Sequence, residues 1–215
     1  MKLYSGPLSM FGAKAEIALR EKALDFDLVM VPFEMKTLYE PKHPEVLRIN
    51  PKRQVPVLID DDLELFDSTQ IFEYLETLKP DPVLWPSDPR ARARARLLEH
   101  KSDEVYFPHI IRLMGDPQAP GAHAAAGLFY DEMERTLADR TWLAGSYTYA
   151  DIAFYMAQLF GERMGAPMTD AHPRLQTWRE RMGERPAVRQ VAGAMGRYLL
   201  SIGRKLPVFL DRVSA

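Results

Sequence analysis

Ile49-Asn50-Pro51-Lys52-Arg53-Gln54-Val55-Pro56-Val57-Leu58 decides how the chain is read. Two prolines bracket a polar turn, and the second stands between two valines where a strand should start. Proline has no N–H, so Pro56 inside a central strand would remove a ladder bond. At a strand's entry it instead leaves the backbone of Val55 unpaired. X-Pro is also the one bond type in which cis is cheap, at about 0.5–1 kcal/mol. A cis Val55–Pro56 bond would turn the Val55 N–H and C=O toward the surface, where an extended peptide can pair with them as an added strand. A tight turn before a strand is the simpler reading of the same residues.

The flanking sequence supplies context. Lys2-Leu3-Tyr4 reads as a short strand, followed by the turn-rich loop Ser5 to Ser9. Phe11, Ala15, Ala18 and Leu19 fall on one helical face. Phe26 to Val31 reads as a second strand stopped by Pro32, which makes a parallel right-handed crossover unit with the first. Pro44 to Ile49 is a short helix. Val57-Leu58-Ile59, the turn at Asp60-Asp61-Asp62, and Leu63 to Phe66 read as an antiparallel hairpin. Asp67 then caps a helix running to about Leu78, with Gln70 at the capping-box position.

Lys79 to Asp88 holds three prolines, Pro80, Pro82 and Pro86, among apolar and acidic residues, and reads as an interdomain linker. No strand pattern follows it. Pro89 can open a long helix capped by Asp88 or Ser87. The alternating Arg/Ala run 90–96 is helical by propensity and predicts a solvated face or a subunit interface. Further helices are expected over 122–139, 149–165, 174–184 and 187–202. Thr148-Tyr149-Ala150-Asp151 forms a capping box, with Tyr147 placed to staple onto Ile152.

Asn-Pro-x-x-x-Val-Pro-x-Leu, the acidic turn after it, the acid-Ser pair at Asp67-Ser68 and the Thr148-x-x-Asp151 box together resemble the cytosolic glutathione S-transferase family. The serine before the first helix is similar to that of the theta- and delta-like classes. The resemblance covers nearly the whole chain. It implies an α/β thioredoxin-like N-terminal domain (1–78), a linker (79–88) and an all-α C-terminal domain (89–215). It also implies glutathione as co-substrate, a hydrophobic electrophile as second substrate, and a twofold dimer.

The implied site residues follow from that resemblance. Ser9 would donate its hydroxyl hydrogen to the glutathione thiolate, helped by the start of the first helix; Tyr4 and Ser5 are its rivals, and a plain helix cap is the alternative. Val55 and Pro56 would hold the cysteinyl backbone and Gln54 the glycyl end. Asp67 and Ser68 would take the γ-glutamyl group, its carboxylate on the helix-start amides and hydroxyl and its ammonium on the acid. The family usually has Glu or Gln at position 67, so Asp67 has a shorter reach. Arg53 stands where the family commonly has glycine, which implies a different turn or mild strain; it competes with Lys36, Lys42 and His43 for the glycyl carboxylate. Met10 and Phe11 from the first domain, and Tyr106, His109 and Ile110 from a long helix kinked at Pro108, would wall the electrophile pocket.

Composition narrows the classes. The chain has 215 residues, 47% of them hydrophobic and 27% charged, with net charge −2, the profile of a folded globular protein. That charge argues against general nucleic-acid or acidic-membrane binding. No apolar run approaches the ~18 residues that would span a bilayer, and no secretory leader pattern follows Met1, so the expected location is cytoplasmic. With no cysteine, disulfides, thiolate metal sites and a cysteine nucleophile are excluded, and thiol chemistry has to come from a bound thiol. The five histidines have no metal-ligand spacing, so no metal is expected. Two functions from different classes remain: glutathione transfer (or a related dehalogenation, ether cleavage or isomerisation), and a non-catalytic interaction protein that keeps the fold.

Overall fold

A computed structural model describes residues 1–210. The last five residues of the expected all-α domain lie outside the described residues. Strands β1 (Lys2–Ser5) and β2 (Asp27–Met30) are joined through helix α1 (Met10–Glu21). They pair in parallel, with Lys2 opposite Asp27 and Ser5 opposite Met30. Strand β3 (Val57–Asp60) runs antiparallel to β1, and β4 (Leu63–Phe66) closes a hairpin on β3. The sheet order is β2-β1-β3-β4. Alternation along β1 and β3 sends Leu3 and Leu58 into the main core, with α1 and α3 (Ser68–Leu78). Tyr4 and Val57 point the opposite way, onto Val46 of α2 (Pro44–Ile49). This is the thioredoxin-like α/β arrangement.

The rest is helical: α4 (Pro89–His100), a π-helical turn (Lys101–Tyr106), α5 (Phe107–Gly115), α6 (Ala122–Leu137), α7 (Tyr149–Arg163), α8 (Pro173–Glu184) and α9 (Pro186–Ser201). Prolines open α2, α4, α8 and α9, where the missing N–H costs nothing. The irregularity expected at Pro108 takes the form of the π-helical turn just before it, closed by a bond from Phe107 N–H to Ser102 C=O.

Helix α7 is buried on every side from Tyr149 to Gly161. Its start carries the expected box: Asp151 accepts from the Thr148 N–H at 2.9 Å, and the Thr148 hydroxyl accepts from Ala150 N–H at 3.3 Å. Asp151 also accepts from Leu143 N–H and from the Trp178 indole. Burial pushes its carboxyl up to about 6, against those three hydrogen bonds and a fourth from the Thr148 hydroxyl. Tyr147 packs against the main core that includes Ile152, and its hydroxyl donates to Glu21 of α1 while its ring lies under the Arg185 guanidinium, 3.5 Å from the ring centroid. Arg185 itself holds Glu21 with two nitrogens, at 2.8 and 2.6 Å, which locks α1 to the helical domain. In the arginine run, Arg92 and Arg96 pair with Glu73 of α3 at 2.9 and 3.4 Å.

Candidate functional site

The bond Val55–Pro56 is cis. Among the described residues neither the N–H nor the C=O of Val55 has a hydrogen-bond partner. Asn50 shapes this loop: its side-chain amide donates to Gln54 C=O at 2.6 Å, and its carbonyl accepts from Lys52 N–H at 2.9 Å. Arg53 sits at φ 57°, so the left-handed conformation that suits glycine is kept with an arginine in it, at about 1–2 kcal/mol. Its side chain is exposed and stands outside the cavity beside this loop.

That cavity, about 160 Å³, is lined on one side by Asn50, Lys52, Gln54, Val55 and Pro56, with Phe11 at its edge. Phe66, Asp67, Ser68 and Thr69 form its base. Asp67 has φ 74° and ψ 126°, a strained backbone of the kind that clusters at ligand sites. One oxygen of its carboxylate accepts from Thr69 N–H at 3.0 Å and Gln70 N–H at 3.4 Å. The predicted Gln54, Val55, Pro56, Asp67, Ser68 and Phe11 thus come together.

The opposite wall comes from the helical domain: Glu99, His100, Asp103 and Glu104. Behind it lies a buried ionic group that sequence reasoning missed. Lys14 of α1, with no exposed surface, bonds Glu99 at 2.9 Å and also bonds Asp103. Glu99 accepts in addition from the Thr69 hydroxyl at 2.7 Å, so it ties α3 to α4. The second oxygen of Asp103 is buried without a partner. Burial pushes the Asp103 carboxyl up to about 7, with Glu99 adding to the effect and Lys14 opposing it. Burial works against the Glu99 carboxylate too, yet Lys14 outweighs it and holds Glu99 below its usual range.

Ser9 is the N-cap of α1. Its Oγ accepts from Gly12 N–H at 3.0 Å, which leaves its own hydrogen free to donate. It is buried and lies two residues from Phe11 at the cavity edge. Its rival Ser5 ends β1 with a buried, unpartnered hydroxyl packed against Gly12, where an added Cβ would lie 2.2 Å from that oxygen. Tyr4, the other rival, belongs to the small core on α2, its ring 5.0 Å from that of His43. His43 caps α2 by accepting from Glu45 N–H, and Lys42 pairs with Glu40 at 3.6 Å.

The electrophile wall needs correction. Tyr106 and Ile110 have no exposed surface. With Leu113 they form an i, i+4, i+7 stripe that turns into the helical core. The Tyr106 hydroxyl bonds that of Tyr130 at 2.5 Å, and Tyr130 donates onward to Ala166 C=O. Met10 is also core. His109 is half-buried, with Nδ1 buried and unpartnered. Of the five, only Phe11 reaches the cavity; its ring meets Phe107 edge-on at 5.5 Å.

Residues 3–83 match the model of the glutathione S-transferase N-terminal domain, and residues 118–186 that of the C-terminal domain. A stringent starvation protein A homolog of Coxiella burnetii is 37% identical over 109 residues, half of this chain and 48% of that protein. A maleylacetoacetate isomerase of Pseudomonas aeruginosa is 30% identical over 204 residues, 88% of this chain and 94% of the isomerase. Among solved structures, a glutathione S-transferase from Rhodospirillum rubrum superposes with a TM-score of 0.75 at 27% identity, covering 89% of this chain and 91% of the other. Both domain models, a full-length relative and the shared architecture lead to one conclusion: the chain belongs to the glutathione S-transferase family.

Proposed function

We propose that this protein is a glutathione transferase that binds glutathione in the cavity between the Val55–Pro56 turn and the start of α3. The observation that carries the reading is the unpaired backbone of Val55, which faces the same cavity as Ser68 and the strained Asp67. The cysteinyl backbone pairs with Val55, and the γ-glutamyl carboxylate lies on the Ser68 hydroxyl and the first amides of α3. The thiol then reaches toward the start of α1, where the Ser9 hydroxyl donates to the thiolate and the helix N-terminus favours negative charge. The thiolate sulfur attacks the electrophile, in conjugation or in a related dehalogenation, ether cleavage or isomerisation. The working form is a cytoplasmic homodimer, as is usual in the family; no helix among the described residues is long and apolar enough to cross a membrane.

Calorimetric titration of glutathione into the wild-type protein and Ser68→Ala tests this. Wild type should bind in the micromolar-to-millimolar range, and Ser68→Ala should bind about 10-fold more weakly, for one lost hydrogen bond to a charged group. A folded wild-type protein that binds no glutathione would overturn the reading. It would favour the second one, a non-catalytic interaction protein on the same fold. That alternative is supported by the acidic wall of Glu99, Asp103 and Glu104, an unusual surface to set against an anionic tripeptide.

A further inference from the structure

Ser5 is costly to the fold in two ways. It ends β1 on the same face as Leu3, the face that turns into the main core under α1. Its carbonyl accepts from Val31 N–H at 2.8 Å, but its buried hydroxyl has no hydrogen-bond partner, and a polar group left unpaired inside a protein is destabilising. The second cost lies opposite. Gly12 stands in the first turn of α1, where glycine weakens a helix relative to alanine. Alanine does not fit there: an added Cβ would lie 2.2 Å from Ser5 Oγ and 3.2 Å from Ser5 Cβ. The helix therefore keeps a glycine to make room for a hydroxyl that bonds to nothing.

The surroundings of that hydroxyl explain both costs. The same point beside Gly12 lies 3.1 Å from Ser9 Oγ, so the two serine oxygens flank one spot at the start of α1. Ser9 is held there by its backbone, its N–H donating to Gly6 C=O and its C=O accepting from Ala13 N–H, both at 3.0 Å. Ser9 Oγ accepts from Gly12 N–H at 3.0 Å. A hydroxyl oxygen has two acceptor lone pairs, so one remains for a further donor. Ser5 is 1% exposed and Ser9 8%, which sets Ser5 behind Ser9, away from the ligand.

We propose that Ser5 is a positioning residue for the thiolate: its hydroxyl donates to Ser9 Oγ when Ser9 donates its own hydrogen to the glutathione sulfur. The inference rests on glutathione transfer as the function and on Ser9 as the thiolate donor, and it adds a second hydroxyl that acts through the first. A Ser9 hydroxyl polarised by a thiolate becomes a better acceptor, and hydrogen bonds in a chain strengthen one another. The Ser5 hydroxyl and the Gly12 amide then converge on that oxygen from a strand and a helix. Gly12 serves twice, since its amide holds Ser9 and its missing side chain admits Ser5.

The apparent pKa of the bound thiol tests this, read from the ultraviolet absorbance of the thiolate as the pH of the glutathione complex is raised. The proteins compared are wild type, Ser5→Ala, Ser9→Ala and the double variant. Ser5→Ala should raise the thiol pKa by about 0.5–1 pH unit, the scale of one neutral hydrogen bond. Below the wild-type thiol pKa it should lower kcat/KM for a standard electrophile by roughly 3- to 10-fold, with glutathione affinity mostly kept. In the Ser9→Ala background the same change should add no further shift, because the residue it acts through is gone. The melting temperature of ligand-free Ser5→Ala should equal or exceed that of wild type, because an unpaired buried hydroxyl has been removed. A merely structural role would lower the melting temperature and leave the thiol pKa unchanged, and an unchanged thiol pKa overturns the inference. A full-sized shift in the Ser9→Ala background also overturns it, since Ser5 would then act on the sulfur itself. Both results leave glutathione binding standing. Failure of the wild type to bind glutathione would overturn both proposals together.

Discussion

Replacing Lys14 with methionine should destabilise the protein in a strongly pH-dependent way. The change keeps an unbranched stem between the rings of Phe11 and Phe72, which now lie 5.5 and 5.1 Å from Nζ, and removes only the charge. Two acids lose their shared partner while remaining buried: Glu99 is 2% exposed and Asp103 7%. Breaking a buried ion pair from one side costs about 3–5 kcal/mol, a large part of the roughly 5–15 kcal/mol that holds most domains. The two acids limit the loss by taking up protons. In the wild type Asp103 already has a folded pKa of about 7, against about 3.9 unfolded. Between pH 4 and 7 the native state therefore binds more protons than the unfolded state, and stability falls as pH rises through that window. Glu99, held low by Lys14, contributes the opposite trend, and only below about pH 4.5. Without Lys14, Glu99 joins Asp103 as a raised acid, and the decline between pH 4 and 7 steepens. The deficit of Lys14→Met should be about 3–5 kcal/mol at pH 8 and shrink to roughly 1–2 kcal/mol at pH 5, at ~1.4 kcal/mol per pH unit per proton. Urea denaturation of both proteins at pH 5, 6, 7 and 8 measures it. Equal deficits at pH 5 and 8, or a deficit below about 1 kcal/mol at pH 8, would refute the electrostatic account.

Ser9→Ala should lower turnover by roughly 10²-fold, the scale of one lost preorganised donor, with glutathione affinity mostly kept; steady-state kinetics on a standard electrophile separates the two. Turnover equal to wild type would remove Ser9 from the chemistry and promote Ser5, whose buried hydroxyl has no partner. Thr148→Ala should cost about 1–2 kcal/mol in chemical denaturation, because the hydroxyl serves both Ala150 N–H and the buried Asp151. Its glutathione affinity should equal that of wild type, and a weakened affinity would mean that the box positions the site as well as the helix.

What could be read in advance was local in sequence. The strand-entry proline, the hairpin around Asp60–Asp62, the acid-Ser helix start and the Thr148 box each lie within about ten residues, and steric and capping rules act at that range. The far wall of the cavity was not readable in the same way, because its groups meet across 85 and 89 residues, from Lys14 to Glu99 and to Asp103. Tyr106 closes the π-helical turn at Lys101–Tyr106, and Ile110 follows it with a shifted phase, so both turn into the helical core. Their i, i+4 spacing, completed by Leu113, was nonetheless a core pattern. Two anomalies did carry the missing information. Lys14 interrupts the apolar face that includes Phe11 and Ala18, and Glu99 and Asp103 stand four apart on one helix face, where like charges repel. A lysine on an inward face and a pair of acids on another helix are each costly to bury alone. One partnership removes both costs, so unexplained charges of opposite sign on two core-facing helices are best read together, as the two halves of one buried contact.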